Sequence, residues 1–486
     1  MPSSSPVPRS CLRAALFVAV ACLPACTGAA TIADASVDVI RPATPDPWTS
    51  ALAIARFEDL NPDPHIVEVN LDARMAEWTI APGQAVHGMT YNGSVPGPLL
   101  DAHIGDSVIV HFTNHLAEPT TIHWHGVRVT NDMDGAPMSQ MPVPSGGSFD
   151  YHFVVPDAGT FWYHPHVHDA VQMEYGLYGP IVVHGDAEPV VDHEGVVMLD
   201  DLTLGVDGQI AQVDIDPLEQ HSGREGPIQI VNGRTGVSVP IRAGERERWR
   251  IINAGSARFY RIGLAGHRFT LLGTDGGPLA TPQDLDELLI VPGDRADVLI
   301  DGTAAPGTTV TLMNQPYNRG HGDGVVNATP ILQLAYASDS PVSRLSTPAA
   351  SAAITPIAID AVTPRTITFD EQVDPITGAS TFTINGQSYP NVPEIDTRVG
   401  TTEVWDLVNN AAMDHPFHLH GFFFQIVSLA GAPPAFSSWE DTFNLRGHTT
   451  ARIVFRPDNR PGMWMYHCHI LEHATYGMMA DLNVMP

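Results

Sequence analysis

The chain of 486 residues has no lysine: its 24 basic side chains are all arginine, set against 54 acidic residues and a net charge of −30. A balance so far to the negative side excludes electrostatic docking on nucleic acid or anionic lipid. It favours the approach of cations, with a solvated acidic surface as the plain alternative. Cysteine is nearly absent as well. Three of the four, Cys11, Cys22 and Cys26, fall in the first 26 residues, which leaves Cys468 alone in the folded body with no partner for a disulfide. A lone cysteine is ordinarily a small buried hydrophobe. The apolar run near the start, Ala14 to Leu23, is too short to span a bilayer as a stable helix. No extended 3.6-residue apolar pattern stands out either, which leaves little room for long amphipathic helices.

The start of the chain carries export signals. Arg9 and Arg13 precede the apolar run, the pattern of a secretory signal over residues 1–26. Leu23-Pro24-Ala25-Cys26 looks like a bacterial lipoprotein cleavage site, although its proline is not the usual choice. The expected location is therefore the periplasm or the outer membrane. Cys26 is a possible lipid anchor and the only membrane attachment, and ordinary signal cleavage is the alternative.

With 42 glycines, 42 prolines and many short Val/Ile/Thr/Phe runs, the remainder reads as all-β. Residues 27–60, rich in Ala, Pro, Asp and Ser, read as a tether. Three strand-rich blocks follow, at 61–186, 187–340 and 366–486, with a Ser/Ala/Pro/Thr-rich linker at 341–365. Asn92-Gly93 and Asn385-Gly386 precede the His123 and His415 motifs by nearly the same distance, and Asn232-Gly233 marks the matching place in the middle block. Such a period points to three copies of one β-sandwich.

The chemistry lies in four histidine motifs: His123-Trp124-His125, His164-Pro165-His166, His415-Pro416-Phe417-His418-Leu419-His420, and His467-Cys468-His469 with His473 and Met478 beyond. One His-x-His pair is more often surface or core histidine than a ligand set. Four, with a cysteine, reverse that. Imidazoles with a thiolate and no carboxylate suit copper better than calcium, magnesium or structural zinc. Cys468, His473 and Met478 offer the thiolate, imidazole and long thioether bond of an electron-transfer copper site. The alternation of a strand would turn His467 and His469 away from that copper, toward a second site.

On these motifs, in order and spacing, the chain from about Asn92 onward resembles a multicopper oxidase of the three-domain, laccase-like type. The resemblance implies three cupredoxin-like Greek-key domains and four copper ions. It assigns a type 1 copper to His415, Cys468 and His473 with axial Met478, and a type 2 copper to His123 and His418. A type 3 pair falls to His125, His164, His166, His420, His467 and His469. The first and third domains would clamp these sites, with the second as spacer and groove wall. Four one-electron oxidations of a small reducing substrate would reduce dioxygen to two waters, in an expected monomer. Methionine as the axial ligand goes with moderate driving force in this family.

Proton supply points to Asp134, nine residues after His125, with a turn aspartate as its other reading. Relatives often carry a second acid where this chain has Ala474. Glu472, two residues earlier, remains as candidate acid, with a supporting hydrogen bond as its other reading. His168 and the loop methionines Met133, Met138, Met141 and Met173 read as outlying or packing residues. Phenols and aromatic amines are the expected donors, because the methionine-rich insert of cuprous oxidases is missing and Ala411 replaces their acid. A metal-ion oxidase of Cu(I), Fe(II) or Mn(II) is the alternative, with Asp414 left to orient His415 or meet a cation. A copper nitrite reductase would not need His467 and His469, and a non-catalytic member would have lost ligands.

Overall fold

Three Asn-Gly dipeptides punctuate the chain at matching places. Asn92-Gly93, Asn232-Gly233 and Asn385-Gly386 all have both residues at positive φ, near +50° and +75°. That is the backbone of a two-residue hairpin turn, which Asn and Gly adopt with least strain. Each turn is closed by a bridge: Tyr91 with Ser94, Val231 with Arg234, Ile384 with Gln387. The protein is seen here as a computed structural model describing residues 47–213, 216–320, 327–346, 354–360 and 362–486.

The described strands form six sheets, two in each third of the chain. One topology recurs three times. The opening strand of each third runs parallel to a later one: Ile66–Ala81 beside Ser107–Asn114, His193–Leu202 beside Arg246–Asn253, and Arg365–Val373 beside Glu403–Asn409. In the second sheet of each third, Leu100–His103, Ser238–Ile241 and Ile395–Arg398 run parallel to the closing strands Gly179–His184, Thr329–Tyr336 and Met479–Met485. Parallel neighbours need crossovers between sheets, so each third closes as a Greek-key sandwich of the cupredoxin-like kind. Each has its own core, built around Trp124 and Phe112, Trp249 and Ile300, and Trp405 and Phe417.

The stretch expected as a tether ends differently. Helix Pro47–Ala51 brings Trp48 and Leu52 into the core of the middle sandwich, and Trp48 Nε1 donates to Glu247 Oε1 at 2.8 Å. Residues 55 and 57 then pair with Leu99. The large apolar side chains gain more from burial than a free linker would allow. The signal segment, Cys26, residues 27–46 and the 347–353 part of the linker lie outside the described residues. Among the described residues no helix is long and apolar enough to cross a membrane.

Candidate metal centres

Strand alternation sorts the third domain's ligand candidates. His415–Leu419 lies antiparallel to Gly462–Cys468, with Phe417 opposite Cys468 and His418 opposite His467. Successive strand residues face opposite ways. His415 and Cys468 therefore share one face, and His418 and His467 share the other. His420 and His469, just past the strand ends, continue the second face. In the first domain, His123 stands opposite His164 and His125 opposite Trp162. Trp124 faces inward to that domain's core.

The first face holds a three-atom group. His415 Nδ1 and His473 Nδ1 are 3.1 Å apart, and Cys468 Sγ is 3.5 Å from the former and 3.6 Å from the latter. Helix Leu471–Thr475 brings His473 back toward Cys468. His473 Nε2 donates to the His221 carbonyl at 3.0 Å, which leaves Nδ1 as a lone pair. His221 belongs to helix Pro217–Ser222 of the middle domain, so that helix covers the outer edge of the ring. Met478 is buried in the same cluster as Cys468. Its N–H donates to the His473 carbonyl at 2.9 Å and its carbonyl accepts from Cys468 N–H at 3.1 Å. Burial pushes the Cys468 thiol well up. Burial, with Arg319 adding, pushes His415 down to about 3.

The second face meets the first domain. His166 and His420 bring Nε2 within 3.4 and 3.1 Å of His467 Nε2, and His164 Nε2 lies 3.4 Å from His125 Nδ1. The opposite ring nitrogens are held from behind. His123 Nδ1 donates to the Asp134 carbonyl (2.8 Å), His418 Nδ1 to the Asp441 carbonyl (2.9 Å), His164 Nδ1 to the Pro165 carbonyl (2.8 Å) and His467 Nδ1 to the Cys468 carbonyl (2.9 Å). Each donation fixes the tautomer and turns a lone pair inward. Burial pushes His164, His420, His467 and His469 well below the ordinary histidine value, and His166 to about 3.

Neutral rings aiming lone pairs at one another in a dry interior repel unless a cation stands between them. Nε2 of His123 and of His418 and both nitrogens of His469 have no hydrogen-bond partner. Among the described residues five buried groups bring their donor atoms within 4.8 Å of one another: His123/His418/His420, His123/His125/His164, His166/His420/His467, His415/Cys468/His473 and His125/His418/Asp441. Imidazoles with one thiolate fit copper.

Asp134 is buried, and its Oδ2 accepts from His420 Nδ1 at 2.9 Å. It is also a turn residue: Gly135 follows at φ +78°, where a Cβ would stand 1.9 Å from the Ile122 carbonyl oxygen. Glu472 lies in the His473 helix, fully buried, its side chain turned toward Gly223; burial pushes it up to about 7. His168 stays out, its side chain 61% exposed and 3.6 Å from Glu118. The methionines do not gather: Met173 is buried in a separate core and Met141 is 83% exposed. Asp414 is buried and bonded at both oxygens. It accepts from Tyr317 Oη (2.6 Å), Asn444 Nδ2 (2.9 Å) and Gly447 N–H (2.9 Å).

Spacing gave no sign of four further groups. Asp441 Oδ1 lies 3.1 Å from His125 Nε2, and Thr442 Oγ1 lies 3.2 Å from the same atom. Arg295 of the middle domain grips Asp441 through both terminal nitrogens (2.6 and 2.5 Å), and Asp275 accepts from Arg295 N–H and Thr442 N–H. Burial raises the Asp441 carboxyl, but Arg295 and His125 outweigh it and hold the group well below the usual range. Gly293, beside them, packs so closely that a Cβ would stand 2.9 Å from the His469 ring. The middle domain is thus part of the wall of the histidine site, beyond the spacer and substrate-groove wall expected of it.

Comparison with known proteins matches three family models, each described as multicopper oxidase, to residues 72–188, 212–337 and 359–486. Multicopper oxidase MmcO of Mycobacterium tuberculosis is 31% identical over 82% of this chain and 84% of its own. Laccase-2 of Botryotinia fuckeliana is 30% identical over 82% and 79%. Among solved structures, a multicopper oxidase from Campylobacter jejuni described as a metallo-oxidase superposes with a TM-score of 0.78 at 30% identity, over 89% of this chain and 94% of that one.

Proposed function

The chain belongs to the multicopper oxidase family, a copper enzyme taking dioxygen and a reducing substrate, and from that premise we propose that its donors are phenols and aromatic amines. We further propose that His415, Cys468 and His473, with Met478 as a fourth ligand, would hold the electron-accepting copper. His123 and His418 would then hold the type 2 ion, and His125, His164, His166, His420, His467 and His469 the type 3 pair. Bound copper supplies one-electron exchange and the reduction of dioxygen to water.

The chain's own residues supply the rest. Cys468 joins the two sites through its peptide bonds to His467 and His469, and the His467 Nδ1–H···O=C bond to Cys468 adds a second link at 2.9 Å. His473 faces outward only through its bond to the His221 carbonyl. A donor therefore docks against helix Pro217–Ser222 rather than on the ring itself. Asp134 and Asp441 orient His420 and His125 from opposite domains, and orientation of ligands by such partners sharpens a metal site. Asp134 is the acid that would pass protons inward.

The state of Asp414 carries the substrate reading. A carboxylate only 6% exposed and bonded at both oxygens is poorly open to a cation, and the buried Arg319 guanidinium stands 3.5 Å from Met413 next to it. Exposed Leu218 on the covering helix, and Val373 and Ile376 on the strand and turn next to it, offer apolar surface to an aromatic ring. The test is oxygen uptake by the copper-loaded protein with 2,6-dimethoxyphenol and with Cu(I) under matched conditions. Faster uptake with the phenol is expected; the reverse would make the protein a metal-ion oxidase.

A further inference from the structure

Arg319 is a buried cation that the reaction as described does not use. It lies in the segment after strand Thr309–Gln315 and is 3% exposed. Its carbonyl accepts the Asp414 N–H at 2.7 Å, which ties its backbone to the residue before His415. Its Nη1 lies 3.5 Å from Met413 Sδ, two residues before His415. The guanidinium also sits over the Phe259 ring, 5.4 Å from the centroid. Its other nitrogens reach Glu225 Oε1 (3.0 and 2.7 Å) and the Ser222 carbonyl.

The pairing with Glu225 leaves an uneven field. Glu225 is 27% exposed against 3% for Arg319, and it is shared with a second cation, Arg258, at 3.3 Å. The negative end is therefore the wetter, more screened one, and the positive end is dry and beside the ligand segment. A charge in such a low-dielectric setting acts over several ångströms. An oxidised copper carries one positive charge more than a reduced one, so a fixed cation nearby raises its energy more.

We infer that Arg319 is a positioning residue for electron acceptance: its fixed charge favours the reduced state of the copper held by His415, Cys468 and His473 and so raises that site's reduction potential. This rests on the ligand reading above. It adds driving force and makes the single electron from the donor easier to accept.

The test is a redox titration of the copper-loaded full chain under argon, with the blue absorption reporting the oxidised fraction. For Arg319→Gln the reduced-to-oxidised ratio at a fixed potential is expected to fall about tenfold, a shift of about 59 mV. Arg319→Lys, which keeps the charge, should stay within about threefold of the parent. Glu225→Gln, which uncovers the charge, should move the ratio the other way. An unmoved midpoint in Arg319→Gln, an equal shift in Arg319→Lys, or a Glu225→Gln shift in the same direction as Arg319→Gln would overturn the inference. If the Arg319 variants do not fold, Glu225→Gln decides alone: a rise supports the inference and no rise overturns it. A parent protein that binds copper without blue absorption would instead sink the ligand reading.

Discussion

At the residue scale, Cys468 is the side chain with the least freedom. Burial favours its neutral thiol, yet a copper site needs the thiolate, which only a bound cation makes affordable in that interior. Cys468→Ser should abolish the intense blue absorption and leave the copper of the histidine groups in place. Metal analysis beside the visible spectrum checks both, and a blue protein without the cysteine would refute the assignment. Asp134 is different, because it supports two rings and is the acid expected to pass protons. Asp134→Asn should slow dioxygen reduction by roughly a hundredfold. Anaerobic reduction of the blue site, followed by stopped flow, should stay near the parent rate; equal loss in both would mean a general collapse of the site.

At the scale of elements, the Arg295 segment of the middle domain meets the Asp441-Thr442 segment of the third. Arg295 is fully buried and is partnered by Asp441 and Asp275. Removing Asp441 leaves the arginine to Asp275 alone, whose carboxyl burial holds well above its ordinary value, so the buried charge is poorly compensated, a loss of about 3–5 kcal/mol. Asp441→Ala should lower the unfolding free energy of the copper-free protein by that order, read from a denaturant melt, and should also disorder His125. A change under about 1 kcal/mol would show that water enters the gap and screens the arginine. The His415 and His467 strands were legible as elements because histidine spacing of two survives any tertiary context. The Arg295–Asp441 pairing was not: the partners are 146 residues apart in sequence, and a lone Asp or Arg at a strand end carries no period.

At the scale of the whole molecule, many acids are kept protonated by burial. Burial pushes Asp200 up to about 8, with Asp201 adding, and Glu247 also to about 8, from ordinary values of 3.8 and 4.5. The folded state then holds protons that the unfolded chain releases. The stability from each is complete below its unfolded value and is lost as the pH rises toward 8. Buried imidazoles run the other way, because they take up protons only on unfolding, below their ordinary value of 6.5. Above that pH the raised acids act, joined by His111, which Glu68 and Asp150 hold above the ordinary histidine value, and by His221, which Glu371 holds above it, so the Tm of the copper-free protein should fall between pH 6.5 and 8.5. Glu247→Gln should flatten the fall, and a Tm that rises over this interval would contradict the burial argument.

By itself the sequence determined the all-β class, the threefold repeat marked by its Asn-Gly turns, and the ligand types on offer, because turn chemistry, strand alternation and donor softness are local properties. Which lone pairs converge was decided only by the tertiary structure, since His123 and His420 come from different domains and meet only when the sandwiches pack. The same packing decided that His473 is covered by His221, that Asp414 is buried and bonded at both oxygens, that Trp48 belongs to a core and that Arg319 is dry. Each depends on a partner far away in the chain, and burial and charge pairing have no sequence signature until the fold brings those partners together.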